Sequence, residues 1–106
     1  PGFDELLEQT AQFKNEKLEP KVFSHPILFN AIPQIGSFND EGYSSEEVKV
    51  MSETRKILSQ PDLKVSAFTV RIPVLNAHSE TVWVTLKQLA DRTQMIETLQ
   101  EFPGVK

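Results

Sequence analysis

The spacing of apolar residues predicts three helices. Residues 3–14 place apolar side chains three and four positions apart, and acidic residues in the early turns suit the helix dipole. A second helix is predicted over residues 45–59, where Ser44 and Glu47 fit a capping box, a pattern that satisfies the first helical N–H groups. We expect this helix to bury Val50, Met51, Thr54, Ile57 and Leu58. A third helix is predicted over residues 88–101, with apolar positions at Leu89, Met95, Ile96 and Leu99.

Two other segments change to the period-two alternation that is typical of strands. Residues 64–74 alternate between an apolar face (Phe68, Val70, Ile72 and Val74) and a second face (Ala67, Thr69 and Arg71). Residues 81–86 form the second predicted strand. Residues 22–34 predict an edge strand or an irregular stretch, because their two prolines cannot donate to a ladder. The order helix, strand, helix, strand, strand, helix predicts an α+β fold with a mixed, largely antiparallel sheet covered by helices.

Length and composition limit the function classes. A chain of 106 residues is one small domain at most, and its net charge of -4, with scattered Lys and Arg, argues against nucleic acid or an anionic membrane as partner. The absence of cysteine excludes a disulfide, a thiolate zinc site and a cysteine nucleophile within these residues. No apolar run approaches the roughly 20 residues that a membrane span needs. We therefore expect a cytoplasmic protein.

Both ends of the chain predict that it is an internal piece of a longer polypeptide. It opens on Pro1-Gly2 without an initiator Met and directly enters a helical pattern. It closes on residues 102–106, where a helix stop is followed by what reads as the start of another strand.

Arg71 and His78 are the first candidates for chemistry. Arg71 lies in an otherwise apolar strand beside the small residues Ala67 and Thr69, which leave space for a guanidinium to hold a carboxylate or phosphate in a bidentate pair. Periodicity alone favours an arginine on a solvated face. His78 follows in a polar break between strands, where histidine can act as a general acid or base. A lone histidine is more often a surface residue, so both interpretations stay open.

Glu46 and Lys49 form the next candidate pair. At positions i and i+3 of the predicted second helix they share one face, with Glu46 in the first turn. The alternative is a local surface ion pair worth a few tenths of a kcal/mol. His25, which precedes a proline, is expected to be structural.

Three ordered blocks carry a resemblance to one family. Residues 20–35 (PKVFSHPILFNAIPQI) are similar to the family pattern hPIAFNxIPxI, and residues 45–57 (SEEVKVMSETRKI) to xEExKMxxETxKI. Residues 65–80 (VSAFTVRIPVLNAHSE) resemble VSATCVRVPVxxGHSE, the most specific of the three. The chain is identified by these blocks as a member of the bacterial-type aspartate-semialdehyde dehydrogenases. The resemblance covers nearly all of residues 1–106, which would form part of the substrate-binding and dimerisation domain, without the dinucleotide-binding domain.

The resemblance implies a role for each candidate residue. Arg71 would hold the substrate carboxylate, and Glu46 would contact the substrate amino group. Lys49 would bind the phosphate or acyl-phosphate end, and His78 would be the acid/base that activates the catalytic thiol. The implied reaction is the NADPH-dependent reduction of L-aspartyl 4-phosphate to L-aspartate 4-semialdehyde, with release of phosphate, in lysine, threonine and methionine biosynthesis. A homodimer is implied as well. We expect all four side chains to face one cleft.

The chain departs from the family pattern in ways that limit what it does alone. Phe68-Thr69 stands where the pattern has Thr-Cys, and Asn76-Ala77 stands where it ends in Gly before the histidine. The family's nucleophilic cysteine and its NADP-binding glycine-rich domain would precede Pro1. We therefore expect the isolated chain to be inactive and to bind no NADP. Two alternatives remain: a related acyl-phosphate reductase of the N-acetyl-glutamyl-phosphate type, for which Glu46 makes less sense, and a non-catalytic dimerisation module.

Overall fold

The computed structural model describes residues 1–13 and 18–105, in which three helices provide the regular structure. Helix α1 spans Gly2–Gln12, α2 spans Ser45–Ile57 and α3 spans Arg92–Glu101. All three predicted helices are therefore confirmed, with ends that differ by a few residues. Residue 14 of the first predicted helix lies outside the described residues.

Local capping determines where α2 and α3 begin. Ser44 Oγ accepts a hydrogen bond from the N–H of Glu47, whose carboxylate accepts one from the N–H of Ser44 at 2.8 Å, so the predicted capping box is confirmed. Asp91 and Gln94 form a second capping box, with Asp91 Oδ1 accepting from the N–H of Gln94 at 2.9 Å. This second box starts α3 after Leu89, which lies outside the helix and is fully exposed.

The core of the described residues is small and lies between α1 and the segment that follows it. It consists of Leu6, Ile27, Leu28 and Ile32, with Leu18 and Phe23 packed against them. Polar groups also join the segment 19–28 to α1, since the buried side chains of Glu5 and Gln9 accept hydrogen bonds from its main chain. The predicted irregular character of residues 22–34 is confirmed, with one bridge at Ile32.

The predicted sheet is not formed among the described residues. Two isolated antiparallel bridges are present there, Ile32 with Arg71 and Phe38 with Ser44, and neither residues 64–74 nor residues 81–86 form a strand. A strand needs a neighbour that supplies donors and acceptors along its length, and among the described residues only Ile32 pairs in this way with residues 64–74. The mixed sheet therefore stays a prediction.

The exposure of residues 64–71 alternates with period two, but the apolar face is the exposed one. Ala67, Thr69 and Arg71 are half-buried, whereas the apolar Phe68 and Ile72 are exposed. The apolar face thus points away from the core. The next residues continue this exposure, because every described residue from position 72 to 105 is exposed.

The expected burial on α2 was wrong for three residues. Val50, Ile57 and Leu58 are exposed, Ile57 at 78% of its surface, while Met51 and Thr54 are half-buried. No described element covers that side of α2, so the amphipathic pattern has nothing to pack against within these residues. The radius of gyration of 18.3 Å agrees, since a compact chain of this length has about 13 Å. None of the helices in the described part of the chain combines the length and apolar content that crossing a membrane requires.

Candidate functional site

Arg71 is held at its main chain by a reciprocal pair of hydrogen bonds. The N–H of Arg71 donates to the carbonyl of Ile32, and the N–H of Ile32 donates to the carbonyl of Arg71, each at 2.9 Å. Ile32 is only 3% exposed and belongs to the core. Because both bonds end on a core residue, the Cα of Arg71 has a fixed position beside the core while its side chain remains half exposed.

The guanidinium of Arg71 lies against an aromatic ring. Its Cζ is 4.9 Å from the centroid of the Phe23 ring, within the range of a cation–π contact. The two side chains line a cavity of about 300 Å³, together with Gly2, Phe3, Leu6, Ile27, Ile72 and Val74. None of the ion pairs among the described residues engages Arg71. Arg71 is the one charged residue among those that line this cavity, and a single guanidinium in a cleft suits a small anionic ligand.

Glu47 connects the start of α2 to the segment that carries Arg71. Its carboxylate accepts a hydrogen bond from the N–H of Thr69 at 3.0 Å in addition to that from Ser44. The hydroxyl groups of Ser44 and Thr69 are 3.3 Å apart. These bonds, first that from the Thr69 main chain and then that from Ser44, hold the pKa of Glu47 below its ordinary value of 4.5. Hydrogen bonds thus join the start of α2 to Thr69, which lies two residues before Arg71.

Glu46 and Lys49 contact each other on α2. The Nζ of Lys49 is 3.2 Å from Oε1 of Glu46, and about half of the Lys49 side chain is exposed. This is the local ion pair that the sequence analysis kept as the alternative, and at such exposure it contributes about 0.5 kcal/mol or less. Neither residue lines the cavity beside Arg71.

His78 is exposed and directly follows the bend at residues 75–77, whose last residue is left-handed. Ala77 has φ of +64°, in the region that favours glycine, and is one of three such non-glycine residues among those described. Glycine at this place in the family pattern now has a physical reason, since only glycine adopts that conformation without strain. The imidazole of His78 is exposed, and His78 is not among the residues that line the Arg71 cavity.

The structure therefore brings Glu46 and Lys49 together and places Arg71 beside Phe23. The prediction that all four candidates face one cleft stays a prediction. Sequence reasoning missed the buried polar residues Glu5 and Gln9, which have no local motif, and gave Glu47 only a capping role. Phe23 was missed as well, because its contact with Arg71 joins residues that are far apart in sequence. In the described part of the chain no group of three acidic or histidine side chains could hold a metal ion.

Comparison with known proteins gives a consistent result. Residues 2–106 match the family described as "Semialdehyde dehydrogenase, dimerisation domain". "Aspartate-semialdehyde dehydrogenase 2" of Vibrio cholerae is 41% identical over 106 residues, which are 99% of this chain and 32% of that protein. The Bacillus subtilis aspartate-semialdehyde dehydrogenase is also 41% identical, over 95% of this chain and 32% of its own length. The chain thus spans about a third of the length of these relatives.

Solved structures agree with the sequence comparisons. The crystal structure of aspartate semialdehyde dehydrogenase II from Vibrio cholerae complexed with ASA superimposes with a TM-score of 0.66 and 47% identity. The overlap covers 69% of this chain and 22% of that one. A probable aspartate-semialdehyde dehydrogenase from Pseudomonas aeruginosa gives a TM-score of 0.61 at 32% identity, with the same coverage.

Proposed function

Because the chain belongs to the semialdehyde dehydrogenase dimerisation-domain family, we propose that it is part of a cytoplasmic, NADP-dependent aspartate-semialdehyde dehydrogenase. The enzyme would reduce L-aspartyl 4-phosphate to L-aspartate 4-semialdehyde and release phosphate, within the biosynthesis of lysine, threonine and methionine. The observation that carries this proposal is an identity of about 40% to proteins of that name along almost the whole chain.

Arg71 supplies the carboxylate-binding group in this proposal. The guanidinium is cationic at all physiological pH values, and its N–H groups match the two oxygens of a carboxylate. The surroundings of Arg71 support the role, because its main chain is hydrogen-bonded to the core residue Ile32 and its side chain is the one charged group that lines the cavity.

Glu46 and Lys49 bind the other two charged groups of the substrate. Glu46 would accept the substrate ammonium and Lys49 the phosphate. In the absence of substrate the two side chains neutralise each other at 3.2 Å. Binding then exchanges one ion pair for two, and the pair that is given up is half exposed and costs about 0.2–1 kcal/mol.

His78 would move the proton in the proposed reaction. An imidazole can take the proton of a thiol and return it to the hemithioacetal oxygen. The chain itself has no cysteine, so the thiol would come from another part of the enzyme.

The residues of this chain do not fit a dinucleotide. Its four glycines are Gly2, Gly36, Gly42 and Gly104, which are never arranged in the glycine-rich turn that seats a pyrophosphate on a helix N-terminus. We therefore assign NADP to the remainder of the proposed enzyme.

A homodimer completes the proposal. Apolar side chains such as Phe68, Trp83 and Leu89 are at least three-quarters exposed in the single chain, and exposed apolar groups in such number are typical of surfaces that meet another chain or domain. In the intact dimer we propose that residues 64–74 and 81–86 pair as strands of the predicted α+β sheet.

Replacement of Arg71 tests the proposed function in the full-length dehydrogenase that contains these residues. Arg71→Lys keeps the charge but loses the bidentate geometry, and a hydrogen bond to a charged group contributes about 1.5–3 kcal/mol. We expect kcat/KM for aspartate semialdehyde to fall about 10- to 100-fold. Arg92→Lys, at the exposed first residue of α3, is the matched control and should change the value less than about twofold.

Two results would count against the proposal. Equal kcat/KM values for Arg71→Lys and the unmodified enzyme would remove Arg71 from substrate binding. A preference for N-acetyl-glutamate semialdehyde over aspartate semialdehyde would favour the related acyl-phosphate reductase instead, because an acetamide offers no ammonium to Glu46.

A further inference from the structure

The contact between Phe23 and Arg71 gives the arginine a partner that no sequence motif indicated. The Cζ of Arg71 lies 4.9 Å from the ring centroid, and both side chains border the same cavity. The negative face of an aromatic ring attracts a guanidinium without occupying its N–H groups, which lie in the plane of the guanidinium. A carboxylate partner would instead compete directly with an anionic ligand for those groups.

The backbone before Phe23 is fixed by a buried carboxylate. Glu5, on α1, is 3% exposed and accepts hydrogen bonds from the N–H of Lys21 at 3.1 Å and of Val22 at 2.6 Å. Gln9 donates a further hydrogen bond to Glu5 at 2.9 Å. Since the two residues that precede Phe23 are tied to α1, the position of its Cα relative to α1 is set by buried hydrogen bonds.

The ring of Phe23 also packs closely against Gly2 in the first turn of α1. A Cβ added at Gly2 would lie 2.5 Å from Cζ of Phe23, a distance that such atoms do not adopt without a shift of the ring. Gly2 therefore leaves the space that Phe23 occupies. Core residue Ile32 fixes the main chain of Arg71 on the other side of the contact. Both partners of the cation–π contact are thus anchored to the same small core.

We propose that Phe23 is a positioning residue that holds the Arg71 guanidinium at the cavity for the carboxylate of the substrate. Without the ring, the flexible arginine side chain would sample other rotamers, and ordering it would lower the affinity for the carboxylate. This inference rests on the proposed function, since it gives Phe23 an effect through Arg71 on the same substrate group.

The experiment uses the full-length dehydrogenase with Phe23 replaced by phenylalanines that carry one, two or three ring fluorines. Fluorine withdraws electron density from the ring face and weakens a cation–π contact in steps, while the shape of the side chain is almost unchanged. The KM for aspartate semialdehyde should rise with each fluorine, while kcat and the KM for phosphate change less than about twofold. Phe23→Leu should raise the same KM about 3- to 30-fold, as expected for a cation–π contact at a partly desolvated site.

Phe29→Leu is the matched control, because Phe29 is largely exposed and makes a different aromatic contact, with the ring of Phe13 at 4.8 Å. It should leave the KM for aspartate semialdehyde unchanged. If the fluorinated series gives a constant KM while Arg71→Lys lowers kcat/KM, the role of Phe23 is refuted and the proposed function stands. If Arg71→Lys has no effect, Arg71 does not bind the substrate carboxylate, and the role of Phe23 is refuted with it.

Discussion

Gln9 is expected to hold α1 and the segment 19–28 together, and its replacement by methionine isolates that effect. The side chain is 2% exposed, and its Oε1 accepts hydrogen bonds from the N–H groups of Ile27 and Leu28, both at 3.0 Å. Its Nε2 donates to Glu5 Oε1 at 2.9 Å. Methionine has nearly the same length and fills the same space, so it removes the hydrogen bonds without leaving a cavity.

The magnitude follows from the two N–H groups that lose their acceptor. Each buried donor without a partner costs about 1–3 kcal/mol, so Gln9→Met should destabilise the local structure by about 2–6 kcal/mol. An opening free energy lower by 2 kcal/mol corresponds to an amide exchange rate about 30-fold higher. We expect at least that acceleration at Ile27 and Leu28.

Hydrogen exchange of the full-length protein, read by mass spectrometry on peptides that cover residues 19–34, measures this effect directly. Gln12→Met is the matched control, because Gln12 lies on the same helix and its side chain donates an exposed hydrogen bond to Glu8, with no other side-chain bond among the described residues. The control should leave the exchange of residues 27 and 28 within about threefold. Unchanged exchange at those two residues in Gln9→Met would refute the assignment of their N–H groups to the Gln9 side chain.

Three further predictions follow from the site and its surroundings. The pKa of Glu47 is lower in the folded chain than its ordinary value of 4.5, so its contribution to stability should be complete above about pH 4.5 and decline as the pH falls through the folded pKa. In urea denaturation at a series of pH values, Glu47→Gln should reduce this decline in stability, and an unchanged pH profile would contradict the prediction. Gly36→Ala should destabilise the start of α2, because Gly36 has φ of +85° and an added Cβ would collide with Oγ of Ser45. Gly42→Ala shares the positive φ but meets no atom within 4 Å, so urea denaturation should show a smaller loss of stability, and equal losses would exclude the clash. The purified 106-residue chain should reduce no NADP with aspartate semialdehyde and phosphate, because it has no thiol; a rate above background would contradict this.

The beginnings of the helices were determined by sequence that lies within a few residues. Ser44 and Glu47 identified the start of α2 correctly because a capping box needs only groups three positions apart. Asp91 and Gln94 form the same kind of capping box, which the sequence prediction did not include. For this reason α3 begins at Arg92 and not at residue 88 as predicted. The capping bonds themselves join groups only three positions apart, so they can be predicted from the order of residues, whereas the further bonds of Ser44 and Glu47 to Thr69 cannot.

The pairing of strands and the burial of side chains were decided only by tertiary structure. Period two in residues 64–74 predicted alternation correctly, but which face is covered depends on what lies opposite, and among the described residues the polar face with Thr69 and Arg71 is the covered one. The burial of Glu5 and Gln9 has the same cause. Their partners are main-chain groups of residues 19–28 that only the folded chain brings to α1, and a buried polar group requires such partners.

Arg71 shows both contributions at one residue. Sequence alone singled it out as a cation in an apolar strand, since residue type and alternation are local properties. Its contact with Phe23 and its pairing with Ile32 could not be read from the pattern, because both partners lie far away in the chain. The side-chain chemistry was thus determined by the sequence, whereas the surroundings that direct that chemistry were determined by packing between distant segments.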